Sequence, residues 1–274
     1  MDLTAVREVV DGRSALPWRQ GDAWLAGGTA LFGAPQPGLR RLRDLTTLDW
    51  PPLTVTEAGL EVAATCTITE LLSFGETPGA PWPSGRALIT DCCRAFSSSF
   101  KVWNTATVGG NLCAALPAGP MISMAAALDG TCRVRGLDGT ERAVPVRDFI
   151  TGNGSTLLRP GDLLRSLMLP AGALAASSVM HRVATHEWGR SVALVTGVRG
   201  WPEGRLTVTV TAATTRPVTV SFTGTPSPGE LRGRLASALP RSLLLDDAHG
   251  WPRWRRHLVV QLAEEVRSTL AEGR

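Results

Sequence analysis

Apolar residues run through this chain in short groups broken by glycine, proline and charge, and the period of each group predicts an element. Asp22 to Ala26 reads as a short buried strand running into Gly27-Gly28-Thr29. Leu39 to Leu45 predicts another short element before Pro51-Pro52, which a central strand does not accept. Leu60, Val62 and Ala64 alternate as on a strand. Thr67, with Glu70 three residues on, has the form of a capping box opening a helix over Thr67 to Phe74. Pro78 to Gly85 reads as a loop, and Arg86 to Ser97 as a helix with Leu88, Ile89, Cys92, Cys93 and Phe96 on one face. A second glycine-pair turn falls within Trp103 to Asn111, and a small-residue helix follows over Ala118 to Leu128. Thr131 to Val146 predicts a hairpin about Asp138-Gly139, and Leu163 to Leu169 a strand.

After Pro170 to Ala176 the pattern changes. Ser178 to Val183, Ser191 to Val198, Arg205 to Ala212 and Pro217 to Phe222 predict four consecutive strands in an antiparallel meander. Two helices follow, the second with Leu258, Val259, Leu262, Val266 and Leu270 at helical spacing and Glu264, Glu265 and Arg267 facing away. Strands followed by helices give an α+β class, with two domains expected at 1–172 and 173–274.

Composition narrows the classes. The chain has 274 residues, 43% hydrophobic and 19% charged, as a globular protein does. No run approaches the roughly 18 apolar residues of a membrane span, and Met1-Asp2-Leu3-Thr4 shows no secretory pattern, so the expected location is the cytoplasm. The net charge is +4, but Lys101 is the sole lysine. The basic clusters Arg40-Arg41 with Arg43, and Arg253 with Arg255-Arg256, are expected on a solvated or partner-facing surface. No nucleic-acid-binding pattern accompanies them. The cysteines at 66, 92, 93, 113 and 132 form no Cys-x-x-Cys, so neither a disulfide framework nor an iron–sulfur cluster is expected on this chain. Cys92-Cys93 reads as small apolar packing.

Two features carry chemistry: Ala26-Gly27-Gly28-Thr29 and Thr107-Val108-Gly109-Gly110-Asn111. Glycine pairs let backbone N–H groups converge on an anion and leave no Cβ in its way. Thr29, Thr107 and Asn111 add side-chain donors. Taken singly, either pair is more often a plain turn. Gly-x-Gly-x-x-Gly, the lysine-bearing phosphate loop and Gly-x-Ser-x-Gly are all missing, and His181 and His186 lack zincin spacing. A redox cofactor bound by such loops needs no titratable catalytic residue, so none is assigned.

Taken together, these segments resemble the FAD-binding medium subunits of molybdenum hydroxylases of the xanthine dehydrogenase and carbon monoxide dehydrogenase type. Leu25-Ala26-Gly27-Gly28-Thr29-Ala30-Leu31 is similar to the family's first FAD loop, and Asn104 to Leu112 to its second. Leu158 to Pro170, Gly189 to Val195 and Trp254 to Leu258 resemble later segments of the same subunits. The resemblance implies an FAD-binding domain of the p-cresol methylhydroxylase and vanillyl-alcohol oxidase type, built of two subdomains, then a smaller C-terminal domain with an antiparallel sheet and helices. It implies FAD held by Leu25, Ala26, Gly27, Gly28, Thr29, Ala30, Leu31, Trp103, Asn104, Thr107, Val108, Gly109, Gly110 and Asn111, with the pyrophosphate between both loops. It also implies a large molybdenum–pterin subunit, a small subunit with 2Fe–2S clusters, and NAD+, O2 or another acceptor.

Three positions depart from the family pattern, and the lysine or arginine pattern usual at the start of the C-terminal domain is blurred around Arg182 to Arg190. Ala30 stands where Asp or Ser is usual, Trp103 where arginine precedes the second loop, and Pro120 where an acidic residue is expected. Trp103 offers either a stacking surface or core packing. Two other readings stay open: a self-contained flavin oxidase, which the short segment after Ala173 disfavours, and a scaffold subunit that has lost FAD.

Overall fold

Three short parallel strands open the fold in this computed structural model, which describes residues 3–272. They are β1 (Glu8–Asp11), β2 (Asp22–Leu25) and β3 (Arg41–Asp44), with β3 in the middle. Met1, Asp2, Gly273 and Arg274, at the outer limits of the two expected domains, lie outside the described residues. The centre of this small sheet is ionic. Arg41 grips the buried Asp22 carboxylate through two hydrogen bonds, of 3.0 Å from Nε and 2.6 Å from Nη2. Arg43 approaches the same carboxylate at 3.4 Å and lies over the rings of Trp18 and Trp24. Burial favours the neutral form of Asp22, but the Arg41 hydrogen bonds, the Arg19 amide and both guanidinium charges outweigh it and hold its pKa below the ordinary value. The expected solvated surface at Arg41 and Arg43 is therefore corrected: alternation on a strand turns both inward, where Asp22 balances them. Arg40, between them and Gly21, stays exposed.

The next sheet has five antiparallel strands in the order β4 (Leu53–Thr56), β5 (Gly59–Ala63), β10 (Leu163–Pro170), β6 (Thr131–Arg135), β7 (Glu141–Pro145). Its helices come from the long excursion between β5 and β6. Thr67 caps α1 (Ile68–Glu76) by the reciprocal capping box that Glu70 predicts. The following helix, α2 (Pro83–Arg94), starts inside the expected loop, because Pro83 takes the first helical position, where its fixed φ fits and its missing N–H is not needed. A single turn, α3 (Phe100–Trp103), leads to α4 (Val108–Ala114), so the second glycine pair is the first turn of a helix and not a free turn. Then come α5 (Pro120–Ala127), the hairpin β6 (Thr131–Arg135) and β7 (Glu141–Pro145), α6 (Val146–Phe149), a two-strand ribbon β8 (Ile150–Gly152) and β9 (Ser155–Thr156), and β10 (Leu163–Pro170) at the sheet's centre. Leu60, Ile68, Leu71, Leu88, Met121, Leu128 and Phe149 are fully buried between these layers.

A short helix, α7 (Ala171–Ala175), leads to a four-stranded antiparallel meander of β11 (Ser177–Ala184), β12 (Ser191–Arg199), β13 (Arg205–Thr211) and β14 (Val218–Thr223). The last two helices are α8 (Pro228–Ala238) and α9 (Pro252–Ala271). The apolar stripe of α9 packs Val259, Leu262, Val266 and Leu270 onto the meander, chiefly over β11 and β12, in a second core. Contact is closest at Gly197, where a Cβ would fall 2.3 Å from Val266 Cγ1. The opposite face of the meander meets the first core through Val198 and the partly buried Met180 and Trp201. A buried hydroxyl pair, Ser123 and Thr211 at 2.6 Å, and the bond from the Ala212 N–H to the Pro117 carbonyl at 2.9 Å tie α5 and its approach to the end of β13. No described helix is long and apolar enough to cross a membrane. Among the described residues there is also no cluster of three metal-ligating side chains.

A candidate cofactor cavity between the glycine loops and the meander

A cavity of about 770 Å³ lies where the three-stranded sheet, α4 and the end of the meander meet. Of the predicted site residues, Leu25, Ala26, Gly27, Gly28, Thr29, Ala30, Leu31, Thr107, Gly109, Gly110 and Asn111 line it. Trp103, Asn104 and Val108 do not. Trp103 packs against the first core and donates its indole N–H to the Phe96 carbonyl, so of its two readings core packing is the one the structure supports. Asn104 accepts a hydrogen bond from Thr69 at 2.7 Å, and Val108 points into the core at 1% exposure.

The four glycines are glycines for three different reasons. At Gly27 a Cβ would sit 1.6 Å from the Thr105 carbonyl oxygen, so the absent side chain admits the neighbouring loop. Gly28 has φ +69°, in the left-handed region, with the Phe32 ring closing over it. Gly109 abuts Ala64, whose Cβ would lie 2.4 Å away. At Gly110 only the Thr107 hydroxyl comes within reach, at 2.9 Å, which leaves this one glycine with its face open to the cavity.

The two loops also differ in what their N–H groups offer. In the second, Val108 donates to the Cys66 carbonyl, Gly109 to the Ala64 carbonyl and Gly110 to the Thr107 hydroxyl at 3.0 Å. These bonds fasten and cap α4, and none of the three N–H groups is left for a ligand. Two converging N–H cradles are therefore corrected to one. In the first loop, the N–H groups of Gly27, Gly28, Thr29 and Ala30 meet no acceptor among the described residues. What the second loop presents is side chain, including a buried Asn111 Oδ1 that has no partner among the described residues.

The far wall comes from the C-terminal half, with Arg190, Ser191, Ala212, Leu245, Asp247, His249 and Arg255. Arg255 is 1% exposed, which corrects the expected surface placement for that residue, while Arg253 of the same cluster is exposed as expected. Its guanidinium donates to the carbonyls of Gly250, Val192 and Ala212 at 3.1, 2.6 and 2.9 Å and to the Asp247 carboxylate at 2.5 Å. Helical period gives a signal for this, since Arg255 precedes Leu258 and Val259 by three and four residues and shares their stripe. Ser97 and Ser98, beyond α2, also reach the cavity, as does Pro120. Cys113 lies on the α4 wall, and burial pushes its thiol up to about 12.

These residues fit a dinucleotide-sized cofactor. The volume is within the roughly 300–1,000 Å³ of small-molecule sites, four N–H groups without acceptors suit a pyrophosphate, and Phe96, Leu116, Pro117, Ala212 and Leu245 offer apolar surface to a flat ring.

Comparison with known proteins agrees with this geometry. A family described as "FAD binding domain in molybdopterin dehydrogenase" matches residues 14–172. Xanthine dehydrogenase 1 of Arabidopsis thaliana is 27% identical over 124 residues, 43% of this chain but 9% of the relative's length. Xanthine dehydrogenase of Oryza sativa subsp. japonica is 31% identical over 70 residues, 26% of this chain and 5% of that relative. The chain thus spans a small fraction of the curated relatives it matches. Among solved structures, a chain of the reconstituted CO dehydrogenase of Oligotropha carboxidovorans superposes with a TM-score of 0.81 at 17% identity, covering 98% of this chain and 99% of that one. A chain of quinoline 2-oxidoreductase from Pseudomonas putida 86 gives 0.78 at 18% identity, covering 100% and 99%.

Proposed function

As the chain belongs to the family of FAD-binding domains in molybdopterin dehydrogenases, we propose that it is the electron-transferring FAD subunit of a cytoplasmic molybdenum hydroxylase complex. The observation that carries this reading is the first glycine loop, whose N–H groups meet no acceptor among the described residues and line a cavity of about 770 Å³. In it, Gly27, Gly28, Thr29 and Ala30 hold the pyrophosphate, Asn111 and the Thr107 hydroxyl add polar contacts, and the C-terminal wall excludes water from the ring. Bound flavin supplies the exchange between one-electron and two-electron carriers. On this reading electrons arrive from 2Fe–2S clusters of a small partner subunit, a large molybdenum–pterin subunit oxidises the substrate, and NAD+, O2 or another acceptor receives them. The domains expected at 1–172 and 173–274 divide the labour: the first binds the cofactor and the second closes the cavity over it.

The test is the colour of the protein. Purified with its partner subunits, the chain is expected to be yellow and to release FAD on denaturation. A colourless complex that takes up no FAD favours the scaffold reading and overturns this one. A yellow chain that runs alone on gel filtration beside its neighbours overturns the partnership but not the flavin.

A further inference from the structure

We propose that His249 sets the redox potential of the flavin, as a cavity-facing cation held in place by Arg255 through Asp247. This rests on the reading of the cavity as an FAD site.

Among the described residues the titratable and charged side chains lining the cavity are Cys113, Asp162, Arg190, Asp247, His249 and Arg255. Four are already committed. Cys113 is exposed on the cavity wall, but its thiol is raised to about 12 and so is neutral near pH 7. Asp162 accepts from Arg142 and from the Arg159 N–H. Arg255 spends its guanidinium on three carbonyls and Asp247, and Asp247 accepts from Arg255 and from the His249 N–H at 2.8 Å. Arg190 and His249 have side chains without a hydrogen-bond or ion-pair partner among the described residues. Of these two, only an imidazole changes its charge between about pH 5 and 8. Asp246, on the same turn, is the remaining neighbouring charge.

The turn that presents His249 is built, not loose. Asp247 and Gly250 exchange backbone hydrogen bonds, and the Asp247 carboxylate is clamped between the His249 N–H and the buried guanidinium. That same guanidinium holds the Ala212 carbonyl. Ala212 bonds to Pro117, and Leu245 bonds to Ala213, at 2.9 and 3.0 Å. Ala212, Pro117 and Leu245 are the apolar strip on this side of the cavity, the surface suited to a flat ring. One side chain therefore fixes both the strip and the turn that carries the imidazole. A protonated imidazole beside that strip favours added negative charge in the cavity, and so raises the potential of the bound flavin.

The test is the flavin midpoint potential of the FAD-loaded full chain against pH, for wild type, His249→Gln and His249→Lys. Wild type is expected to lie above His249→Gln at acid pH and to merge with it at alkaline pH. His249→Lys should stay raised throughout. Each tenfold change in the underlying equilibrium reads as about 30 mV for a two-electron couple. Asp247→Asn, which loosens the turn while leaving the imidazole in place, should shrink the wild-type shift. A merely structural histidine would not produce a pH-dependent potential that lysine makes permanent. Superimposed curves for wild type and His249→Gln at equal flavin content overturn the inference and leave the FAD reading intact. Failure of the wild-type chain to take up FAD overturns that reading as well.

Discussion

Gly27 and Thr105 meet backbone to backbone, with so little room that a methyl group at position 27 would lie 1.6 Å from the Thr105 carbonyl oxygen. The two glycine loops, far apart in sequence, are thus in direct contact, and a carbonyl cannot yield as a side-chain tip can. Gly27→Ala is expected to drive the loops apart, lowering both the melting temperature and FAD affinity. Gly110→Ala adds its methyl on the cavity side, beside the Thr107 hydroxyl alone. That variant should melt near wild type yet bind FAD at least about tenfold more weakly, a loss of roughly 1.4 kcal/mol. Thermal melts paired with fluorescence titration of FAD separate the two. Equal loss of stability in both variants would refute the distinction.

Asp22 makes stability depend on acid. Its carboxyl titrates below the ordinary value because Arg41 and Arg43 favour the charged form more than burial opposes it. A group with a depressed folded pKa contributes stability that is present above the unfolded value, about 3.9, and is lost as pH falls through the lower folded one. Asp22→Asn should therefore melt several degrees below wild type at neutral pH, with the buried Arg43 guanidinium left without a carboxylate and Arg41 left with Glu8 alone. The gap should narrow below about pH 4. Melting curves of the pair across that range decide it, and a gap that does not change with pH refutes the account.

Arg255 should be costly to replace. Arg255→Met removes four hydrogen bonds to Gly250, Val192, Ala212 and Asp247. The expected loss is about 3 kcal/mol, chiefly that of leaving buried carbonyls without their donor. Denaturant unfolding measures it. FAD affinity should fall too, since the apolar strip at Ala212 loses its tether. Wild-type unfolding with weakened FAD binding would show the residue acting on the cofactor alone.

The cysteines should resist alkylation. Burial raises the thiol pKa to about 12 at both Cys93 and Cys113, and raises those of Cys66, Cys92 and Cys132 as well. At pH 8 the native protein is expected to react with iodoacetamide far more slowly than free cysteine, because the thiolate is the reactive form. Cys113, which faces the cavity, should be the first modified, and FAD should slow it further. Mass mapping of labelled cysteines with and without FAD checks both statements.

Much of this was legible beforehand because it is local. The capping box at Thr67 and Glu70, the hairpin about Asp138-Gly139 and the stripe of α9 each depend on residues a few positions apart. What was hidden depends on partners distant in sequence. Arg41 and Arg43 look like surface charge until strand pairing sets them beside Asp22, nineteen and twenty-one residues away. The second glycine pair looks like an anion nest until Cys66 and Ala64 take its N–H groups. Val108 falls off the cavity wall for a related reason. Once Thr107 caps a helix, successive residues turn through its circumference, and Val108 faces the core while Gly110 faces out.

Arg255 also bears on the order in which the protein is made. A nascent chain whose α5 has cleared the ribosome presents both glycine loops, and with them every N–H group suited to the pyrophosphate. The carbonyls of Val192 and Ala212 stay untethered until residue 255 emerges. Cofactor captured by a nascent chain would therefore sit in an open trough, and retention begins only when the final helix docks.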